Sequence, residues 1–265
     1  MFPPRRIVCL TEETVETLYL LGRAGSIAGI SGYAVRPPEA RRDKPRVSAF
    51  TSADIPKIEA LKPDLVLAFS DLQAAIVADL VRHGMAVHAF NQRDIAGILD
   101  MIRTVGALAG APDEAARLVD RLTARIEKAG DAAARLKRRP RVFFEEWDEP
   151  LISGIGWVSE LIEIAGGIDV FRERSHAASA RDRIVAGADV IAAVPDIVIG
   201  SWCGKKFRAE RVAGRPGFAT LPAVRDGAIF EIKSSLILQP GPAALTDGLA
   251  AIEAIIGRWA AAHPG

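Results

Sequence analysis

A Pro-Asp pair followed by an unbroken apolar run occurs twice in this chain, each time at the same point of a longer pattern. "IEALKPDLVLAFS" (58–70) and "IAAVPDIVIGSW" (191–202) each read as a helix end, the Pro-Asp pair and an apolar strand. Proline cannot continue the helix, and a β-branched run without polar alternation suits a strand covered on both faces. Upstream, "RRIVCLTEE" (5–13) and "PRVFFEEWDE" (140–149) are each a basic start, a short apolar run and two adjacent glutamates. Downstream, "RHGMAVHAFN" (82–91) and "RDGAIFEIKS" (225–234) each lead from a glycine turn into a strand. The spacing repeats as well: 56 residues from Val8 to Asp64, and 54 from Val142 to Asp196. Three pairs in one order predict two α/β lobes, 1–110 and 140–265.

Residues 111–139 separate the lobes. Leu118, Leu122 and Ile126 recur there at helical spacing, and Pro112 with Asp113 suits a helix start. A helix over 112–138 would be roughly 35–40 Å long at ~1.5 Å per residue. A final helix over about 242–261 closes the second lobe. Strands alternating with helices predict parallel sheets with right-handed crossovers, in two Rossmann-like lobes.

Several classes are disfavoured. The formal net charge is +1, which gives no electrostatic basis for binding nucleic acid. The two cysteines, Cys9 and Cys203, form no zinc motif or disulfide scaffold. No 18-residue apolar run predicts membrane insertion. "MFPPRRIVCL" runs into a strand without a leader pattern, so the expected location is cytoplasmic, or periplasmic where a leader has been removed. "GSWCGKK" (200–206) is one residue short of a phosphate loop, and "GIGWVS" lacks the third glycine of a dinucleotide fingerprint.

Ligands of parallel α/β sheets bind outside the carboxyl ends of the strands. That rule selects Glu12, Glu13, Tyr33, Ser70, Asp71 and Asn91 in the first lobe. In the second it selects Glu145, Glu146, Trp147, Trp202, Cys203, Lys233 and Ser234.

The chain resembles the class III, helix-hinged substrate-binding proteins that carry vitamin B12, siderophores or haem to ABC importers, and within them the cobalamin-binding members. The resemblance lies in "RRIVCLTEETVETLYLLG", "ALKPDLVLA", the linker helix, "GWVSELIEIAGG", "VPDIVIGSW", "RPGFATLPAVRDGAIFEI" and "ILQPGPAALTDGL", in the family's order over nearly the whole chain. It implies two lobes, a rigid interlobe helix and one ligand in the cleft between the lobes, and it does not imply an enzyme. It also implies a docking glutamate near the start of the helix before each Pro-Asp strand. Pro56 and Ala188 stand at those positions, which points to an intracellular carrier rather than an importer receptor.

Under that resemblance Trp147, Trp157 and Trp202 offer flat apolar faces to a corrin or porphyrin, with Phe50 and Tyr33 opposite. The acidic pairs Glu12–Glu13 and Glu145–Glu146 either meet cationic or amide-rich ligand edges or act as first-turn helix acids. Lys205, Lys206 and Lys233 are expected to balance them. Gly204 is expected to give a turn, and Cys203, beside lysines, is either a small loop residue or a soft-metal ligand. The expected ligand is a corrinoid, held non-covalently by a monomer. The alternatives are a siderophore- or haem-binding importer receptor, or a metal-handling enzyme built on the cleft acids and Cys203.

Overall fold

In the computed structural model, which describes residues 2–177 and 179–264, the short apolar runs become strands at the predicted places. β1 (Ile7–Cys9), β2 (Ile27–Ser31), β3 (Arg46–Ser48), β4 (Leu65–Phe69) and β5 (Val87–Phe90) form a parallel sheet in the order β3-β2-β1-β4-β5. A second sheet contains β6 (Arg141–Asp148), β7 (Leu151–Ser153), β8 (Ile168–Asp169), β9 (Ile197–Gly200) and β10 (Ile229–Glu231). Its order is β10-β9-β6-β7, with β8 paired to β6. All residues of β4 and β9 are buried, as strands with both faces covered require.

One strand departs from the expected parallel arrangement. β6 runs for eight residues and returns through Glu149 and Pro150 as β7, antiparallel to it. A two-residue connection can only reverse the chain; a parallel neighbour needs a crossover of a dozen residues or more.

The paired segments of the sequence occupy equivalent ladders, β1-β4-β5 and β6-β9-β10, and the reason for the repeated residues is local. Asp64 Oδ2 accepts the backbone N–H of Arg5 (2.8 Å) and Arg6 (3.0 Å), and Asp196 Oδ2 accepts that of Arg141 (2.8 Å). Arg6 Nε donates to Leu61 O at 2.8 Å, and Arg141 Nε to Ala193 O at 2.9 Å, capping the preceding helix end in each case. Lys62 and Val194, the residues before each proline, both take a left-handed conformation, at φ 45° and 44°.

The chain divides into two compact units, Met1–Gln92 with Ala96–Leu122, and Arg93–Ile95 with Thr123–Gly265. The helix Pro112–Ala133 contributes to both and ends short of the expected 138. The core of the first unit gathers Val8, Leu10, Val47, Ile58, Val66 and Leu80, and that of the second Phe143, Val190, Val198, Phe207, Val212 and Phe218. The last helix, Leu249–Ala262, follows a π-helical turn at Ala244–Gly248 rather than starting near 242.

Candidate functional site

The carboxyl ends of the second unit's strands carry a dense ionic network. Glu145 and Glu146 lie at an irregularity in the β6–β7 pairing and take different partners. Glu145 is fully buried and receives Arg215 in a two-pronged pair, with Nη2 to Oε1 at 2.8 Å. Trp202 Nε1 donates to the same Oε1 at 2.9 Å. Glu146 receives both guanidinium nitrogens of buried Arg183, at 2.6 and 3.0 Å. Buried carboxylates are tolerable only when paired in this way.

The lysines do other work than expected. Lys205 Nζ lies 2.7 Å from both oxygens of Asp148, and Lys233 pairs with Glu231 at 2.6 Å. Neither lysine bonds to the acidic pairs: Glu145 and Glu146 take Arg215 and Arg183 instead. Lys205 also stands 5.3 Å from the ring centroids of both Trp147 and Trp202, within cation–π range. Gly204 takes the positive φ of +72° expected of the turn that brings Lys205 there.

The tryptophans are less open than their positions imply. Trp202 is 4% exposed, with Phe207 edge-on at 4.8 Å and Lys205 and Arg211 over its ring. Trp157 is 3% exposed, with its indole N–H donating to Ile237 O at 2.8 Å, so the structure places it in packing rather than on an open face. Trp147 is half-buried and spends its N–H on Glu149 O. Cys203 is exposed and Ser234 half-buried, beside Lys233. Among the described residues no group of three or more His, Cys, Asp or Glu side chains is placed to hold a metal ion. A groove of about 630 Å³ lies in the second unit, where Arg211, Arg215 and Asp148 meet Leu151, Ile191 and Phe218.

The first unit presents a different chemistry. Glu12 and Glu13 open the helix Glu12–Leu20 directly after β1. Glu13 is 1% exposed and accepts the Thr11 hydroxyl at 2.5 Å; Glu12 is 8% exposed. One oxygen of each carboxyl is buried without a partner. Burial raises Glu12 to about 7 and Glu13 to about 8, and the neighbouring Glu12 charge adds to the latter. The first-turn position, which favours the anion, does not offset that desolvation. Burial likewise pushes the Cys9 thiol to about 12, leaving it an inert core residue.

Tyr33 at the end of β2 is 46% exposed; Asn91 and Asp71 are exposed, and Phe50 is half-buried. Ser70 is buried at φ 63°, ψ 173°, a region nearly restricted to glycine. At the two expected docking positions, Pro56 sits in the first turn of the helix Ile55–Ala60 and Ala188 in the helix Gly187–Ala193. The nearest acids are engaged locally: Glu59 meets His83 at 2.8 Å, and Asp189 accepts Ala186 N–H at 3.1 Å.

Arg183, Arg211, Arg215, Asp148 and Gln73 went unassigned in the sequence. Arg215 lies in the "RPGF" segment, but nothing in its spacing signals a partner at Glu145.

A family model described as periplasmic binding protein matches residues 7–236. The chain belongs to this family. Its two-unit α/β fold and its resemblance to class III substrate-binding proteins agree with that membership. A cobalamin-binding protein of Halobacterium salinarum is 24% identical over 248 residues, covering 90% of this chain and 66% of that protein. The chain thus spans just under two thirds of that relative's length. Among solved structures, the periplasmic vitamin B12-binding protein BtuF of Vibrio cholerae superposes with a TM-score of 0.77 at 20% identity, covering 97% of this chain and 98% of that one. The periplasmic heme-binding protein RhuT of Roseiflexus gives 0.78 at 24% identity, with 95% and 99% covered. At these identities the structures establish the fold. They lend no support to the expected cytoplasmic location, since both are described as periplasmic. Among the described residues no helix is long and apolar enough to cross a membrane.

Proposed function

We propose that this ligand-binding protein of ABC-importer type serves as an intracellular carrier rather than an importer receptor and takes a corrinoid, non-covalently and as a monomer, at the carboxyl-end loops of its sheets. The observation that carries this reading is the match to a cobalamin-binding protein over 90% of the chain. The strand-end chemistry supports it. Among the described residues no cation pairs with Glu12 or Glu13, which suits an amide-edged ligand that donates hydrogen bonds and disfavours one edged with carboxylates. The second unit's apolar and aromatic wall, with Trp147 and Lys205, suits a broad, partly apolar disc. The absence of carboxylates at Pro56 and Ala188 favours a carrier that does not dock on a permease through those positions, and fractionation of native cells tests this. Recovery with periplasmic or membrane proteins would refute the intracellular carrier.

Ligand identity is tested by incubation with hydroxocobalamin or cobinamide, then gel filtration with visible absorbance. Co-elution of colour with monomeric protein is expected; elution of every corrinoid in the free volume refutes the reading. A haem is the second reading, favoured by exposed Tyr33, since a phenolate can ligate ferric iron. Haem binding that shifts spectrally in Tyr33→Phe would favour it.

A further inference from the structure

We infer that Gln73 is a positioning residue for the ligand-binding loops of the first unit. This rests on the ligand-binding reading above, and it concerns a residue that reading does not use. Gln73 is fully buried in the turn after β4. Its side chain does three things at once. Oε1 accepts Phe69 N–H at 3.0 Å, while Nε2 donates to Leu10 O at 3.3 Å and to Phe50 O at 2.9 Å. Those partners follow or end three different strands, β4, β1 and β3. The same turn reaches a fourth, because Ser70 N–H donates to Phe90 O of β5 at 2.8 Å.

One primary amide therefore ties together segments that leave three strands of one sheet, the adjacent β1 and β4 and, across β2, β3. Two of them carry candidate contacts: Phe50 itself, and Glu12 two residues past Leu10. The turn carries two more, Ser70 and Asp71. Ser70 is held in a glycine-like conformation by its backbone bond to Phe90 and by its hydroxyl, which accepts Leu72 N–H at 3.3 Å. A strained residue persists only where its surroundings over-determine it, and such residues gather at ligand clamps. Glutamine is the side chain this position needs. It must offer an acceptor and two donors in one plane, which neither glutamate nor methionine supplies. Loss of the donors would take this partner from the Leu10 and Phe50 carbonyls and release the Phe50 loop, so the cost falls on loop order as well as on stability.

The test uses Gln73→Met, which keeps length and apolar volume, and Gln73→Asn, which keeps the amide chemistry but shortens its reach. Two measurements are made on the whole chain. The first is hydrogen exchange at Ala49, whose N–H bonds to Ser52 O at 2.9 Å inside the Phe50 loop. Faster exchange in Gln73→Met, with the amides of β6 and β9 unchanged, is expected; unchanged exchange at Ala49 overturns the inference, whether or not a ligand is known. The second is a double-mutant cycle with Phe50→Ala, titrated with hydroxocobalamin. Gln73→Met should weaken binding about tenfold in the wild-type background and much less in Phe50→Ala. Full additivity overturns the inference and leaves the corrinoid reading standing. Failure of wild-type protein to bind any corrinoid refutes that reading alone, and the exchange result then decides the role of Gln73.

Discussion

Replacing Glu13 by glutamine should convert a pH-dependent stability into a flatter one, with a calculable size. Glu13 moves from its ordinary 4.5 to about 8 in the folded chain, chiefly because burial penalises the anion. The folded state therefore holds its proton over a range in which the unfolded chain has released it. Stability from this group is complete below the unfolded value and declines as pH rises toward the folded one. At ~1.4 kcal/mol per pH unit, the interval corresponds to roughly 4–5 kcal/mol lost between about pH 4.5 and pH 8. Glutamine cannot ionise. It can still accept the Thr11 hydroxyl through Oε1, but its NH2 replaces an oxygen that has no partner, a constant penalty of ~1–3 kcal/mol. The Glu13→Gln protein should therefore be the less stable of the two at about pH 5 and the more stable at about pH 8.5, with curves that cross between. Urea denaturation of both proteins at several pH values measures this, and the difference between them cancels the other titrating groups. A gap that stays constant within ~0.5 kcal/mol across that range would show that Glu13 ionises freely in the folded state and would refute the reasoning.

Arg215→Met should destabilise the second unit by ~3–5 kcal/mol, because Glu145 would remain fully buried without its cation; thermal melting reads it, and a loss under about 1 kcal/mol would contradict the pairing. Gly200→Ala should cost ~1–3 kcal/mol, since an added Cβ would stand 1.9 Å from the Phe207 ring; an unchanged melting temperature would mean the ring swings away freely. Val194→Gly should stabilise by about 1 kcal/mol, the left-handed strain of a β-branched residue exceeding the entropy that glycine adds to the unfolded chain, and a lower denaturation midpoint would count against it. Lys205→Gln should increase acrylamide quenching of tryptophan fluorescence, because the ammonium that covers Trp147 and Trp202 is removed; unchanged quenching would place Lys205 elsewhere in solution.

The fold was legible where local chemistry repeats. Pro63-Asp64 and Pro195-Asp196 mark helix ends and strand starts in both halves, since each aspartate caps the backbone at the start of the neighbouring strand. Strand ends were legible for the same reason, and they located Ser70, Tyr33 and the two acidic pairs. The partners at those ends were not. Arg183 and Arg215 reach Glu146 and Glu145 from 37 and 70 residues away, and no local spacing encodes such a pairing. The nearby lysines of "CGKK" were the natural sequence-level choice, but Lys205 is drawn to Asp148 instead. Trp157 read as a ligand platform because a tryptophan near a strand end looks alike whether it faces solvent or core. Gln73 carried no signal at all, since a glutamine after "FSDL" is an unremarked turn residue until its three partners are seen.

The two halves solve the same electrostatic problem in opposite ways. Each places two adjacent glutamates in or just after its first strand, Glu145 and Glu146 within β6 and Glu12 and Glu13 in the helix that follows β1, where burial makes a bare carboxylate costly. The second unit supplies a guanidinium for each, and their geometry is fixed by five hydrogen-bonding contacts from Arg183, Arg215 and Trp202. Among the described residues the first unit pairs no cation with its two acids, which are stabilised instead by retaining protons near neutrality. An acid locked to a guanidinium has one role, that of acceptor. A carboxyl that holds its proton near neutrality alternates between hydrogen-bond donor and acceptor as the pH changes. The repeated backbone locks around Asp64 and Asp196 keep the frames alike, so this difference is confined to the strand ends. Any pH dependence of ligand binding near neutrality should therefore trace to Glu12 and Glu13. It should disappear in their glutamine variants, and a pH dependence that survives in the double variant would refute the assignment.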